Sequence, residues 1–585
     1  MDSAKELETD VLIIGGGPTG LTAALALASY GVRCHMVSRW NWMADTPRAH
    51  ITNQRTMEVF RDLGVEKECY KYATPWDLMG DSLFTTSLAG DELLRIRAWG
   101  TAEDRKGDYL TGSPCELIDL PQHLLEPILF KNAAERGASF SCNTEYLSHS
   151  QDEQGVTALL EDRLTGRQFT CRSKYLIGAD GARSKVFEDL GLELEGQLAR
   201  AATAYVIFKA DLSKYVAHRP SILHWIVSPH AAFGEIGFGL LRAIAPWDQW
   251  IAGWGFDMSK GEPDLSDETV LDRIRMLVGD PYLNVEIQRK TTWYVNQAYA
   301  PVYSKGKVFC AGDACHRHPP SSGLGLNTCV QDAFNLAWKL SYVLKGYASE
   351  SLLESFSLER APVGKQVVKR ANQSRLDYAP LKAIFRIEGE GNPVEAAINR
   401  FRDPGADGVK ARAAAREALE LKNREFNAQG VELNQRYFSN AVLNESAELP
   451  AWSKDPELYL VPSTVPGAKI PHVWLIDRLG HKLSTLDVVG KGRFVLITGL
   501  SGQHWKGAAK SLDLPFLDIV VVGELATQDP YCDWQRYREV DEDGAILVRP
   551  DGYVAWRRMN GVQSEAEAIS MIKQVLSSLL ASELR

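Results

Sequence analysis

Residues 10–31, DVLIIGGGPTGLTAALALASYG, decide how this chain folds. An apolar run at residues 11–14 meets Gly15-x-Gly17-x-x-Gly20 and continues into residues 21–29, which have helical composition. Strand, glycine turn and helix in that order open a dinucleotide fold. Gly15 permits the tight turn, Gly17 lets a pyrophosphate approach the backbone, and Gly20 lets helix pack on strand. The helix N-terminus offers free N–H groups and a positive dipole end to that pyrophosphate.

Outward from this stretch, residues 33–37 predict the second strand, near whose end dinucleotide folds carry an acid for the adenosine ribose. Ser38-Arg39 stands there instead. The serine can bond a ribose hydroxyl; the arginine serves a phosphate or lies in solvent. Residues 46–64 begin as a proline-marked loop and end as a helix packed through Met57, Val59, Phe60 and Leu63. Arg48, His50 and Gln54 precede the packed part. They either face a cofactor or form a capping and salt-bridge cluster. Residues 78–112 read as irregular. Residues 117–137 predict a turn and a helix with Gln122 near its start. Strands at 139–144, 156–161 and 168–177 lead into Gly178-Ala179-Asp180-Gly181-Ala182-Arg183-Ser184.

Residues 202–297 change character, with strands expected at 221–227, 235–241, 249–256 and 291–297. Residues 250, 252 and 254 share one face by strand alternation. Trp225, Trp247, Trp250, Trp254 and Trp293 either line an aromatic pocket or form plain sheet core. A second nucleotide-type signal follows: a strand at 307–311, Gly312-Asp313-Ala314, the loop HRHPPSSGLGLN, and a helix at 328–344. The Asp313 carboxylate can hold sugar or ribityl hydroxyls. The loop carrying Pro320, Gly325 and Asn327 can bring backbone N–H groups onto a planar ring. Residues 353–436 read as helical and charged, and 449–466 as a proline-rich linker. Residues 469–585 form a separate α/β unit, with strands at 493–498 and 517–522, a hairpin at 545–548 and 553–556, and a closing helix at 565–580.

The net charge of −10 is spread through the chain, which argues against a nucleic-acid or anionic-membrane surface. No signal peptide or membrane span is visible, and nine scattered cysteines form no disulfide framework. A reducing cytoplasm is the expected compartment. Cys310, Cys315 and His316 lack a matching second ligand pair, so no metal is expected.

Taken together, Gly15–Gly20, Gly178–Ser184 and the loop from Gly312 to Asn327 resemble the class A flavoprotein aromatic hydroxylases, and within them the phenol hydroxylase branch. TPRAHITNQRTMEV, AHRPSILHWIV, GDACHRHPPSSGLGLNT and ELKNREFNAQGVELNQRY carry the likeness. The resemblance implies an α/β, Rossmann-like FAD-binding domain from residues 1–77, 113–190 and 301–375. An inserted, mainly β substrate domain would comprise 78–112 and 191–300. A helical segment at 376–455 and a thioredoxin-like domain at 456–585 without C-x-x-C would follow. Non-covalent FAD would lie on Gly15, Gly17 and Gly20, with Asp313 on its ribityl chain and Arg48 and Gln122 along the flavin. Asp180 and Arg183 match a motif linked to both FAD and NADPH. The implied activity is ortho-hydroxylation of phenol or a chlorophenol by NADPH or NADH, O2 and a flavin C4a-hydroperoxide, in a homo-oligomer (dimer or tetramer). Tailoring of a larger polyphenol, or a flavin dehydrogenase or oxidase without oxygen insertion, are the alternatives. His50 aligns with an aspartate near the substrate hydroxyl in that branch; it relays the phenol proton or only bonds the backbone.

Overall fold

The computed structural model describes residues 7–198, 201–228, 237–385, 393–444 and 451–583. Leu7–Ile14 is the central strand of an eight-stranded sheet, paired in parallel with Gln168–Gly178 on one side and Cys34–Val37 on the other. Val11, Leu12 and Ile13 are fully buried, as a strand covered on both faces requires. The first helix is Pro18–Ser29, three residues longer at its start than its composition suggests, because Pro18 suits the first helical turn. It packs against Gln122–Glu135 and Gly325–Leu344. Gly15 adopts φ +113°, and a Cβ there would sit 2.2 Å from the Ala179 carbonyl oxygen. A Cβ on Gly20 would sit 2.0 Å from the Gly15 oxygen.

A seven-stranded sheet forms the second layer, in the order Glu286–Tyr294, Ala202–Lys209, Gln249–Phe256, Gly239–Ala245, Leu223–Ile226, Ser82–Thr85 and Glu92–Ile96. Residues 78–112 are therefore not irregular: they supply two strands and the helix Glu103–Gly112. Ser82–Thr85 pairs in parallel with Leu223–Ile226, a non-local partner that leaves no hairpin signal in the sequence. The strand expected at 235–241 lies at Gly239–Ala245, and residues 229–236 fall outside the described part.

The C-terminal unit holds a four-stranded sheet, ordered Leu517–Val522, Phe494–Gly499, Ala545–Val548 and Val554–Arg558. Gln503–Leu512 and Glu565–Leu580 pack together beside it. A buried ionic cluster docks this unit onto the first layer. Arg549, fully buried, donates to Glu359 at 2.9 Å, and Lys339 donates to the same carboxylate at 2.8 Å. Lys469 reaches Glu58 at 3.1 Å, and Arg55 donates to the Asp551 carbonyl at 2.8 Å. Residues 451–466 contain neither helix nor strand, yet Arg105 holds the Leu458 carbonyl and Asn434 that of Tyr459, both at 2.7 Å. This stretch is pinned rather than free. Among the described residues no helix is long and apolar enough to cross a membrane.

Candidate active site

The nucleotide end is built from backbone. A Cβ on Gly17, the residue capping Pro18–Ser29, would meet nothing within 4 Å, so the helix N-terminus opens onto empty space. Asp313 follows the strand Val308–Cys310 and leaves its carboxylate exposed, with one weak contact from the Cys329 thiol at 3.6 Å. Its turn is held from beneath. Asp332 accepts from the Gly312 N–H at 3.0 Å, from His316 at 2.8 Å and from Arg360 at 2.7 Å, all fully or nearly fully buried. Arg48 is exposed, and Gln122 donates to Glu126 at 2.6 Å. Glu126 also accepts the Ala44 N–H, which fixes the loop carrying Arg48. A glycine turn with an open helix N-terminus suits a pyrophosphate, and a bare carboxylate after a strand suits sugar or ribityl hydroxyls.

Pro320 is exposed beside Ser322, whose φ is +68°. Gly325 opens the helix Gly325–Leu344 against His318, whose Cε1 would lie 3.6 Å from a Gly325 Cβ. Sequence reading starts this helix three residues late, because its first turn is the glycine loop itself.

Some expected cofactor contacts are corrected. Gln54 is buried with both functions engaged: its amide donates to the Tyr109 and Cys115 carbonyls at 2.8 Å, and its oxygen accepts from Gln429 at 2.9 Å. It pins neighbouring segments and does not face a cofactor. The Asn327 side chain is likewise committed, accepting the Asn53 N–H at 2.9 Å and donating to Ile51 at 2.9 Å. It ties the start of Gly325–Leu344 to the His50 segment. Asp180 caps the helix Lys185–Asp189, accepting the Lys185 and Val186 N–H groups at 2.8 and 3.2 Å. Its carboxylate therefore shapes the loop and keeps acceptor capacity to spare. Ser38 is buried against Gly16 and accepts the Trp40 N–H at 3.3 Å.

At the other end, Ile51–Thr52 pairs with Ile118–Asp119 in a two-stranded ladder. Leu120 and Gln122 donate their N–H groups to the His50 and Ala49 carbonyls at 2.8 Å. This brings the His50 imidazole to 3.7 Å from Asp119, and Arg242 donates to the same Asp119 oxygen at 2.8 Å. Asp119 is fully buried, and His50 is 6% exposed. By strict geometry neither ring nitrogen of His50 nor the second Asp119 oxygen is paired among the described residues, although the Pro47 carbonyl lies close enough to favour the protonated ring. Burial, reinforced by the Arg242 charge, holds His50 well below the usual imidazole range, so it is neutral at working pH. Burial pushes Asp119 up to about 6, with Arg242 opposing the shift. A neutral imidazole beside a carboxylate can take a proton, but its burial makes it a weak base, so Asp119 has to carry the imidazolium that forms.

Sequence reading missed Asp119 and Arg242. Each is a single charge inside an apolar run, in LIDLP and GFGLLRAIAPW. A charge at a core-strand position demands a partner, and that demand was the available signal.

The tryptophans divide by sheet face. Arg242 pairs with Ile251 and Leu223, so Trp225, two residues from Leu223, shares its face. Trp225 packs 4.8 Å from Tyr378 and donates to Ser82 at 3.1 Å. Trp250 pairs with Ala243, so Trp250 and Trp254 point to the opposite face, where Arg273 covers Trp254. They are core, not pocket. Trp293 lies on the edge strand, paired with Thr203, three strands from Arg242's and about 14 Å across the sheet.

Residues 8–371 match the FAD binding domain family, and residues 463–578 match the aromatic-ring hydroxylase C-terminal family. This chain belongs to the FAD-dependent aromatic-ring hydroxylases. The hydroxylase is 45% identical to the 2,4-dichlorophenol 6-monooxygenase of Delftia acidovorans, over 98% of this chain and 99% of the relative. It is 45% identical to the phenol 2-monooxygenase of a Pseudomonas sp. (strain EST1001), over 96% of this chain and 92% of that protein. The flavin-dependent monooxygenase PieE, solved with FAD and substrate, superposes with a TM-score of 0.94. It is 41% identical, with 99% of this chain and 100% of PieE covered. The hydroxylase is thus an FAD-dependent monooxygenase.

Proposed function

We propose that this enzyme ortho-hydroxylates phenol or a chlorophenol to a catechol, consuming NAD(P)H and O2. The carrying observation is the buried His50–Asp119–Arg242 constellation beside the Ile51–Thr52 and Ile118–Asp119 ladder. FAD, when bound, supplies the redox and oxygen-activating chemistry. The chain's own residues bind, orient and move a proton. Gly15–Gly20 and the start of Pro18–Ser29 hold the pyrophosphate, and Asp313 accepts ribityl hydroxyls. The N-terminus of Gly325–Leu344 would favour negative charge on a flavin ring bound beside it.

His50 Nε2, the nitrogen away from Asp119, accepts the substrate's phenolic proton. A phenol has a pKa near 10 like tyrosine, so a positioned base is needed at neutral pH. Asp119 faces Nδ1 and stabilises the imidazolium that forms, while Arg242 keeps Asp119 ionised. Ile51 and Trp225, both buried, limit water around this proton transfer.

None of the nine cysteines is in a disulfide, and a reducing cytoplasm is part of this reading. The relatives' printed activities support small phenols over larger polyphenols as substrates. A homo-oligomer, dimer or tetramer, is part of the same reading. Turnover of phenol and 2,4-dichlorophenol under labelled dioxygen is expected to give catechols carrying one labelled oxygen. Peroxide alone would identify an oxidase instead, and exclusive turnover of fused-ring polyphenols would move the substrate class.

A further inference from the structure

The sheet face from which Arg242 reaches Asp119 carries two neighbouring rows of residues. Ile207, Ile251, Arg242 and Leu223 form one row, and Tyr205, Gly253, Leu240 and Trp225 form the next, two residues along each strand. Gly253 is the gap in the second row. A Cβ there would sit 3.0 Å from Tyr205 Cε1 and 3.3 Å from Leu240 Cδ2. The Tyr205 ring therefore leans off its own strand and across the next, toward Leu240, and the Arg242 charge acts on its phenol. Trp225 and Arg242 spend donors on Ser82 and Asp119. The Tyr205 hydroxyl has no hydrogen-bond partner among the described residues, and the side chain is half-buried. Burial pushes this phenol up to about 12, so it stays protonated and able to donate.

Packing does not account for this hydroxyl. Phenylalanine would serve as well against Ile207, Ile244 and Ile251, and would need no glycine opposite. A tyrosine donor without a protein partner is left for a ligand or water. The proton transfer at His50 makes no use of it. A substrate ring whose hydroxyl meets His50, beside Arg242, has its para edge left to meet the second row. We propose that Tyr205 is a specificity-determining residue whose Oη donates to the group para to the substrate hydroxyl. It selects phenols whose para group accepts a hydrogen bond (nitro, oxygen or, more weakly, chlorine) over those carrying methyl. Gly253 is its companion, because only a residue without a side chain lets the ring lean inward. The inference deepens the reading of this chain as a phenol hydroxylase and rests on it.

Calorimetric titration of the FAD-loaded enzyme with 4-nitrophenol, 4-chlorophenol and 4-methylphenol, at one pH and without NAD(P)H, tests it directly. Tyr205→Phe is expected to weaken 4-nitrophenol about fivefold or more, the range of a lost neutral hydrogen bond. It should leave 4-methylphenol within about twofold, with 4-chlorophenol between them and FAD content unchanged. Comparing each ligand with itself in the two enzymes cancels differences in phenol acidity. Gly253→Ala pushes the ring aside while keeping its hydroxyl, and should erase the same preference for nitro over methyl. Adding Tyr205→Phe to that variant should cost nothing more. A Tyr205→Phe enzyme that keeps the native affinity for 4-nitrophenol overturns the proposal. So does one that loses affinity for all three phenols equally, which would make Tyr205 part of the wall only. If the unaltered enzyme binds none of the three, the phenol-hydroxylase reading fails along with the inference, a failure distinct from the other two.

Discussion

At one end of the groove, Gly15, Gly17 and Asp313 offer ligand a backbone turn and an exposed carboxylate. At the other, His50, Asp119 and Arg242 are side chains from separate segments, buried together. The first end needs only local sequence, because a strand, a glycine turn and a helix assemble it wherever they occur. The second exists only once two sheets have met. Binding FAD and choosing a phenol are accordingly separable properties of the molecule, and mutation should separate them.

The largest expected effect is at the buried end. His50→Phe should lower catechol formation by about 10²-fold or more, the range of a lost general base. FAD content and NADPH-driven flavin reduction should persist, with peroxide released in place of product. Unsubstituted phenol should suffer most, since chlorinated phenols are more acidic. Catechol and peroxide measured per NADPH consumed check this, and a variant fully coupled on phenol at neutral pH removes His50 from proton transfer.

Asp313→Ala should do the converse. Loss of a charge-assisted hydrogen bond worth about 1.5–3 kcal/mol predicts FAD affinity roughly ten- to a hundredfold weaker. With saturating FAD, coupling should return to normal. A flavin titration decides it, and unchanged affinity would sink the assignment of that carboxylate.

A smaller effect should appear with pH. With Asp119 pushed up to about 6, protonation below that value removes the negative charge that supports a positive His50. Coupled hydroxylation should therefore decline as pH falls through 6, and Asp119→Asn should flatten that limb at a uniformly lower level. For stability the sign is opposite. The folded state holds this proton more tightly than the unfolded chain, so the contribution favours folding in acid and is lost as pH rises from about 4 through 6. Smallest of all, Cys532→Ser should change neither turnover nor coupling, since Cys532 is exposed and solitary in the C-terminal unit. A loss of hydroxylation with normal flavin content would give that unit a chemical role.

The same contrast explains what could be read beforehand. The Gly15–Gly20 turn and the Asp313 turn are legible because each is contiguous. Asp119 and Arg242 lie 123 residues apart, and no periodicity links them. Gln54 misleads because it sits beside His50 in sequence, yet its helix turns it toward Tyr109, Cys115 and Gln429. Alternation correctly gives Trp250 and Trp254 a common face, but which face meets the flavin layer depends on sheet packing. Ser82–Thr85 escapes notice because its partner strand comes far later in the chain.

The clasp between Arg549 and Glu359 also sets an order of events when the protein is made. Glu359 leaves the ribosome 190 residues before Arg549, an interval of about 10–40 s at ~5–20 residues per second. Through that interval Lys339 alone can balance the charge of Glu359 in this cluster, and the second cation arrives with the last unit.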